Sequence, residues 1–379
     1  MFSLSVRTSS RICLLLLLSL LLLPRVVVGQ DQSPAVADRP PVAADGGLGQ
    51  WTPTGRLPVD QAGAGLRGYV MSGEGTDVAE PGGSQISVHA VAANNFYREQ
   101  TSTFSISERY ETHTLALSYR RGFRMSGVPR VEFGGQLQLI ESDGGFLNGF
   151  ISDSENFLAW ATGQPSARNE FRRSATTQPA LGTSLIDGGG LLYQARGTGA
   201  GLGDFSFVAK ALLRDGVPAS GRTRVAARVG VNVAGKSEFT SGNFAGVGVS
   251  VDRKVLGWMA LHGDVRSTFL MDRESRWHLP LRRTTLAFSV GPEFRMTRRN
   301  SASIQFDGST TPYRPTGTTA FDRGYGDITL GFSHWTQTAR HQIVTQAYLR
   351  ENMNLPFRVR WNTDPDLSLG IKITIHSLR

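Results

Sequence analysis

The residues Leu367, Leu369, Ile371, Ile373 and Ile375 are apolar, and Ser368, Gly370, Lys372, Thr374 and His376 between them are small or polar. Side chains of a β-strand alternate between two faces, so this stretch has one oily and one wet face. The same alternation recurs along the chain. Val131, Phe133, Leu137 and Leu139 oppose Glu132, Gln136 and Gln138; Val225, Val229, Val231 and Val233 oppose Arg224, Arg228 and Asn232; Val247, Val249 and Val251 oppose Gly246, Gly248 and Ser250. With Ile86–Ala92, Thr112–Tyr119, Asp204–Leu213, Trp258–Ser267, Thr284–Met296, Ala302–Asp307, Asp327–Phe332 and His341–Leu349, about twelve such segments are readable.

A strand with this pattern belongs either to a soluble sandwich or to a barrel wall with lipid outside and water inside. The connections separate the two. Transmembrane barrels carry short turns at one end and long loops at the other. Here the odd-numbered connections run from about 8 to 62 residues and the even-numbered ones from about 4 to 9. The residues Leu191 to Gly197 are assigned to the long second outer loop, because one extra strand there would invert every segment downstream. Glycine supplies 44 of 379 residues, above the roughly 7 % of ordinary chains. The expected fold is all-β: a single antiparallel transmembrane β-barrel of about 12 strands, with a short helix in a long outer loop.

The N-terminal residues read as an export signal, with Arg7 and Arg11 ahead of the apolar run Ile12 to Pro24 and cleavage after Gly29. About 13 apolar residues fall short of the roughly 20 that a spanning helix needs. Cys13 is the sole cysteine and leaves with the signal, so disulfides and thiolate metal sites are excluded from the exported chain. Losing Arg7, Arg11 and Arg25 takes three charges from +9 and leaves about +6. For an exported chain this balance points to anionic headgroups or acidic solutes rather than to nucleic acid. Residues 30–83, with Pro34, Pro40, Pro41, Pro53 and Pro58 in the first part, read as a flexible periplasmic tether and lead-in, and residues 84–379 as the barrel.

The segments "YRRGF", "VEFGGQLQL", "GGFLNGFISDSENFL" and "GTGAGLGDFSFVAKALL" resemble, in that order, the Gram-negative barrel family filed as domain of unknown function 3187. The likeness covers about residues 84 to 260, and beyond them only the strand pattern continues. It implies an outer-membrane barrel and no assigned activity. Two departures stand out: Ser154 and Glu155 where the family's pattern has an aromatic-histidine pair, and Ser377-Leu378-Arg379 where such barrels end on an aromatic residue read by the assembly machinery.

Several stretches invite a chemical reading. Phe146, Leu147, Phe150, Ile151, Phe157 and Leu158 recur at helical spacing, which predicts an amphipathic helix in the longest loop: a plug in the lumen, a helix on the outer leaflet, or a cap on the rim. "GTGAGLGD" precedes a strand rather than a helix and carries no phosphate-loop lysine; with "GYGD" at Gly324 to Asp327 it reads as glycine at the start of a strand. The seven histidines include no metal-binding spacing, and no metal or cofactor is expected. His113 on the outward phase would suit a serine–histidine lipid hydrolase, but no serine pairs with it by sequence. "DPD" at Asp364 to Asp366 reads as a turn or a weak calcium loop.

The inward phase places Lys210, Arg224, Arg228, Arg295, Arg350 and Lys372 in the lumen, with Gln136, Gln138 and Gln346, against Glu132 and Glu293. Such an interior either concentrates anions or is filled by internal pairing. The functions that follow are a passive pore for small solutes, anionic ones among them; a non-conducting structural or surface-binding barrel; or a membrane-embedded lipid-modifying enzyme. Partners expected are outer-membrane lipid and the barrel assembly machinery.

Overall fold

Alternating segments that expose an apolar face and a hydrogen-bonding edge must pair until no edge is left. The computed structural model shows that outcome; it describes residues 53–58, 69–100, 104–143, 147, 182–187, 190–196, 199–216, 222–235, 240, 242–275, 278–317, 319–338, 340–352 and 367–377. Among them are fourteen strands: β1 Ser84–Gln100, β2 Phe104–Met125, β3 Val128–Asp143, β4 Gly182–Asp187, β5 Gly190–Arg196, β6 Gly199–Arg214, β7 Thr223–Val233, β8 Phe244–Leu256, β9 Met259–Leu270, β10 Thr284–Arg295, β11 Asn300–Ser309, β12 Tyr325–Gln337, β13 His341–Asn352 and β14 Leu367–Ser377. A four-residue helix, α1 Thr319–Asp322, precedes β12.

The pairing is antiparallel throughout, each strand beside its sequence neighbour, except that β3 passes over the β4–β5 hairpin to pair with β6. First and last strands meet, from Gln85↔His376 to Asn94↔Leu367, while β1 also pairs along its length with β2. The fourteen strands less the β4–β5 hairpin therefore form a closed twelve-stranded antiparallel barrel. Closure satisfies the backbone groups that an open edge would leave bare, a necessity where hydrocarbon surrounds the wall.

All twelve expected wall segments are strands. One expectation is corrected: Leu191 to Gly197, read as loop, supplies β5 up to Arg196. The parity argument survives because β5 does not come alone. It folds back on β4, and β4 pairs with the first six residues of β2, Phe104↔Asp187 to Arg109↔Gly182. Two added strands leave the direction of the wall unchanged.

The outer face is apolar. Phe207, Val229, Val247, Val265, Leu286, Val290 and Leu330 are all exposed, Val265 by 62 %, in the phase opposite Lys210, Arg228, Asp264 and Ser289, which are buried. An apolar belt of this kind is destabilising in water and favoured in lipid. The turns at 126–127, 257–258, 296–299 and 338–340 are short, while the connections at the other end, such as 271–283 and 310–324, are long. At the short-turn end Trp258 stacks on Phe294 at 6.0 Å, and Phe123 meets Phe133 edge-on at 5.6 Å, as expected of an aromatic girdle. No helix among the described residues is long and apolar enough to cross a membrane.

Candidate functional site in the barrel lumen

Residues 53–58 and 69–80, expected to form part of a tether, instead pack against the inner wall. In the first arm the Thr54 N–H and hydroxyl donate to Glu293 Oε1 at 2.9 and 2.7 Å, and the Gly55 N–H to Glu293 Oε2 at 3.2 Å. Arg56 donates to Ser289 at 2.6 Å and Asp307 at 2.8 Å, and the Leu57 N–H to Gln305 at 3.0 Å. The second arm starts near the long loops, where Thr285 donates to the Tyr69 carbonyl at 3.2 Å and the Met71 N–H to Thr268 at 2.9 Å. It then descends past Arg228, which donates to the Ser72 carbonyl, and Asp252, which accepts from the Thr76 N–H. Lys210 reaches the Asp77 carbonyl, and the Ala79 N–H donates to Glu132 at 2.7 Å. The chain then enters β1 at the short-turn end.

The composition concealed this because an extended segment with no apolar periodicity looks like linker. Its backbone donors and acceptors are matched by wall side chains instead of by a ladder of its own, which a buried segment requires. The wall makes room with glycine. A side chain at Gly331 would collide with Leu57, and one at Gly246 would place its Cβ 2.6 Å from Met71 Sδ. Leu57 also packs on Val91, Ala93 and Tyr348, the small apolar cluster under the first arm.

Ion pairs lock the arms to the wall. Arg120 bridges Glu74 of the second arm and Glu132 of β3, at 2.5 and 2.9 Å, with Lys210 within 3.5 Å of Glu74. Burial by itself would raise the Glu74 carboxyl, but Arg120 and Lys210 outweigh it and hold the group well below the usual carboxylate range. Asp264 accepts from both Arg228, at 2.7 and 3.1 Å, and Arg266, at 2.8 Å. Arg266 also reaches Ser289, which links it to Arg56 and Asp307. His262 lies between Asp252 and Glu293, 2.8 Å from each, and each of those carboxylates holds one arm.

The side chains expected in the lumen are all on the inner phase. Glu132, Lys210, Arg228, Glu293, Gln346 and Arg350 are buried, and Gln136, Gln138, Arg224, Arg295 and Lys372 are half-buried. The structure brings Glu132 to Lys210, Arg224 to Asp77 at 2.8 Å, Glu293 to His262, Arg350 to Asp327, and Gln346 to the Arg56 carbonyl. Among the described residues, Gln136 and Gln138 join none of these pairs. Sequence reasoning missed the acids: Asp252, Asp264, Asp307 and Asp327 share the inward phase of their strands with Ser250, Arg266, Gln305 and Thr329. The alternation around Ile304, Phe306, Ile328 and Leu330 was the available signal for the last two. The expected set also lacked the inward cations Arg120 and Arg266, and with these acids counted the lumen holds paired charges of both signs.

Of the candidate plug helix only Leu147 lies within the described residues; Phe146, Phe150, Ile151, Phe157 and Leu158 lie outside them. Leu147 is helical and buried, packed on Ala92 and Leu367, with its N–H donating to Glu111 at 2.8 Å. Ala92 and Leu367 share the phase of the exposed Ile86 and Ile375, so this contact is on the outer wall and not in the lumen. His113 stands 3.4 Å from the Glu111 carboxylate. Asp364 to Asp366 lie outside the described residues, and among those described no group of three or more acid, histidine or cysteine side chains gathers as for a metal.

No family model matches the chain, and no curated protein does. Among solved structures the chain is similar to the COG4313 outer membrane channel from Pseudomonas putida F1, at TM-score 0.49 and 10 % identity over 79 % of this chain and 97 % of that one. It is also similar to the CymD monoaromatic hydrocarbon channel, at TM-score 0.34 and 10 % identity over 79 % and 88 %. A third is the KdgM porin, at TM-score 0.32 and 6 % identity over 78 % and 99 %. Likeness at this level carries neither cargo nor mechanism, and the fold stands on its own strand pairing: the chain is a closed twelve-stranded barrel with its lead-in threaded through the lumen.

Proposed function

We propose that this chain is an outer-membrane barrel of a Gram-negative cell that passes small solutes, with residues 53–58 and 69–80 setting how wide the path is. Export by the N-terminal signal, insertion by the barrel assembly machinery and kinship with the domain of unknown function 3187 family belong to the same reading. The observation that carries it is the ionic and hydrogen-bonded seating of two lead-in arms on the inner wall, from Thr54 on Glu293 to Ala79 on Glu132. The arms are bound through side chains of the wall rather than woven into its ladder, so they can leave without opening the barrel. Charge pairing argues against strong anion preference: Lys210, Arg224, Arg228 and Arg350 each hold a carboxylate.

Reconstitution in planar bilayers tests this. The intact protein should give small conductance steps with weak ion selectivity, and a variant lacking residues 50–80 should give larger ones. Equal steps, or none from either protein, would remove the reading.

A second reading, a non-conducting surface-binding barrel, draws on one observation. Strands β1 and β2 run 17 and 22 residues, against the roughly 9–11 that cross a bilayer, and the β4–β5 hairpin extends their outer half into a projecting sheet. Silence of both proteins in the bilayer, with the barrel folded, would favour it.

A further inference from the structure

The long-loop end above β9, β10 and β11 carries an arginine platform that the lumen does not use. Arg273, Arg282, Arg283 and Arg314 are all exposed there, and among the described residues none of the four is in an ion pair. Backbone pairing holds them in place. The Leu281 N–H donates to the Arg273 carbonyl at 2.8 Å, the Arg282 N–H to the Pro312 carbonyl at 2.7 Å, and the Arg314 N–H to the Pro280 carbonyl at 2.9 Å. Bridges Glu274↔Pro280 and Leu281↔Tyr313 tie the two loops together, and Arg282 Nε donates to the Tyr313 carbonyl at 2.6 Å. Beneath them Tyr313 contacts Tyr69 at 6.4 Å and Phe321 at 5.0 Å, a buried aromatic base.

The acids nearby do not cancel this charge. Asp272 accepts from the Asn243 N–H, Asp322 caps Thr316 and Gly317, and Glu274 alone of the three is exposed. Directly below, on the outward phase, Phe269, Met271, Leu286 and Phe288 are exposed. The lipid-facing apolar side chains of β9 and β10 thus lead, at the long-loop end, into loops that carry four exposed arginines. Arginine matches phosphate with paired N–H donors and is less strongly hydrated than lysine, and a cation beside an anionic membrane surface is drawn to it.

We infer that this platform binds the phosphate groups of an anionic lipid in the leaflet at the long-loop end, whose acyl chains lie along Phe269, Met271, Leu286 and Phe288. The inference rests on the membrane reading above.

The test uses the full-length exported barrel in detergent, titrated with bisphosphorylated lipid A or with phosphatidylcholine and read by native mass spectrometry. Wild type should retain lipid A in preference to phosphatidylcholine. The R273Q/R283Q/R314Q variant should lose that preference by about tenfold or more, since three charges near the surface are removed. The R273K/R283K/R314K variant should recover only part of it, since lysine restores the charge but not the paired donors. Heat-modifiable gel mobility checks that each variant is folded. Equal lipid A binding by wild type and the glutamine variant overturns the inference, as does equal retention of the two lipids. Loss of the bound lipid to millimolar inorganic phosphate also overturns it, since the acyl column would then contribute nothing. Flotation of wild type with liposomes separates the two claims: failure to float sinks the membrane reading, whereas floating without lipid preference sinks only the platform.

Discussion

Asp264 illustrates how single side chains hold this lumen. It accepts from Arg228 and Arg266 with all three side chains almost wholly buried. Replacing one partner of a buried pair leaves charge without compensation, which costs about 3–5 kcal/mol. Asp264→Ala should therefore lower stability by that order in urea titrations of the detergent-solubilised barrel, and a loss below about 1 kcal/mol would show that the pair is solvated. Glu74 makes a second case, with a sign set by pH. Its carboxyl is held well below the usual range, so its contribution is complete above the ordinary carboxylate pKa of about 4.3 and fades as pH falls through the lower folded value. Limited proteolysis of the lead-in should show protection at neutral pH and exposure only in strong acid. In Glu74→Gln the protection should be weaker at neutral pH and change less with acid. Residues of this kind differ in how far the sequence exposes them. Arg228 and Glu293 were legible because their neighbours Val229, Phe294 and Val290 mark the phase. Glu74 and Arg56 were not, since no alternation surrounds them.

At the scale of elements, the wall was readable because alternation is a local property: each strand shows its two faces without reference to its partners. The lead-in is the opposite case. Its place depends on wall side chains more than two hundred residues away, such as Thr54 on Glu293 and Leu57 on Gln305, and no local pattern records that. Gly246 and Gly248 were visible as glycines on one face of β8, yet their purpose was not: Gly246 makes room for Met71 of the lead-in and Gly248 for Arg228 of the wall. Gly331→Leu should drive Leu57 off the wall, and raised protease sensitivity of residues 53–58 with the barrel still folded would report it. Unchanged protection would mean that the first arm is not seated where Gly331 leaves room. The β4–β5 hairpin makes a separate prediction. Among the described residues it joins the wall only at Phe104–Arg109 of β2, so removing residues 182–196 should leave the barrel heat-modifiable on gels.

For the whole molecule, two surfaces of opposite character meet in one closed wall. The exposed apolar belt requires hydrocarbon outside, and the charged inner face requires partners inside. Wall residues supply some of those partners to one another, and the lead-in supplies the rest, including Arg56 for Asp307 and Glu74 for Arg120. Fold class and strand number followed from the alternation; the occupied interior did not, because filling a barrel is a property of the assembled molecule. Disulfide trapping tests the threaded lumen directly. A Cβ built on Gly246 lies 3.1 Å from the Met71 Cβ, slightly inside the roughly 3.5–4.5 Å span of a disulfide, and the chain's one native cysteine, Cys13, precedes the expected cleavage point. In a Met71→Cys/Gly246→Cys variant the account predicts spontaneous cross-linking in the folded, membrane-inserted protein. Two thiols that stay free and react with a polar maleimide under oxidising conditions would contradict it.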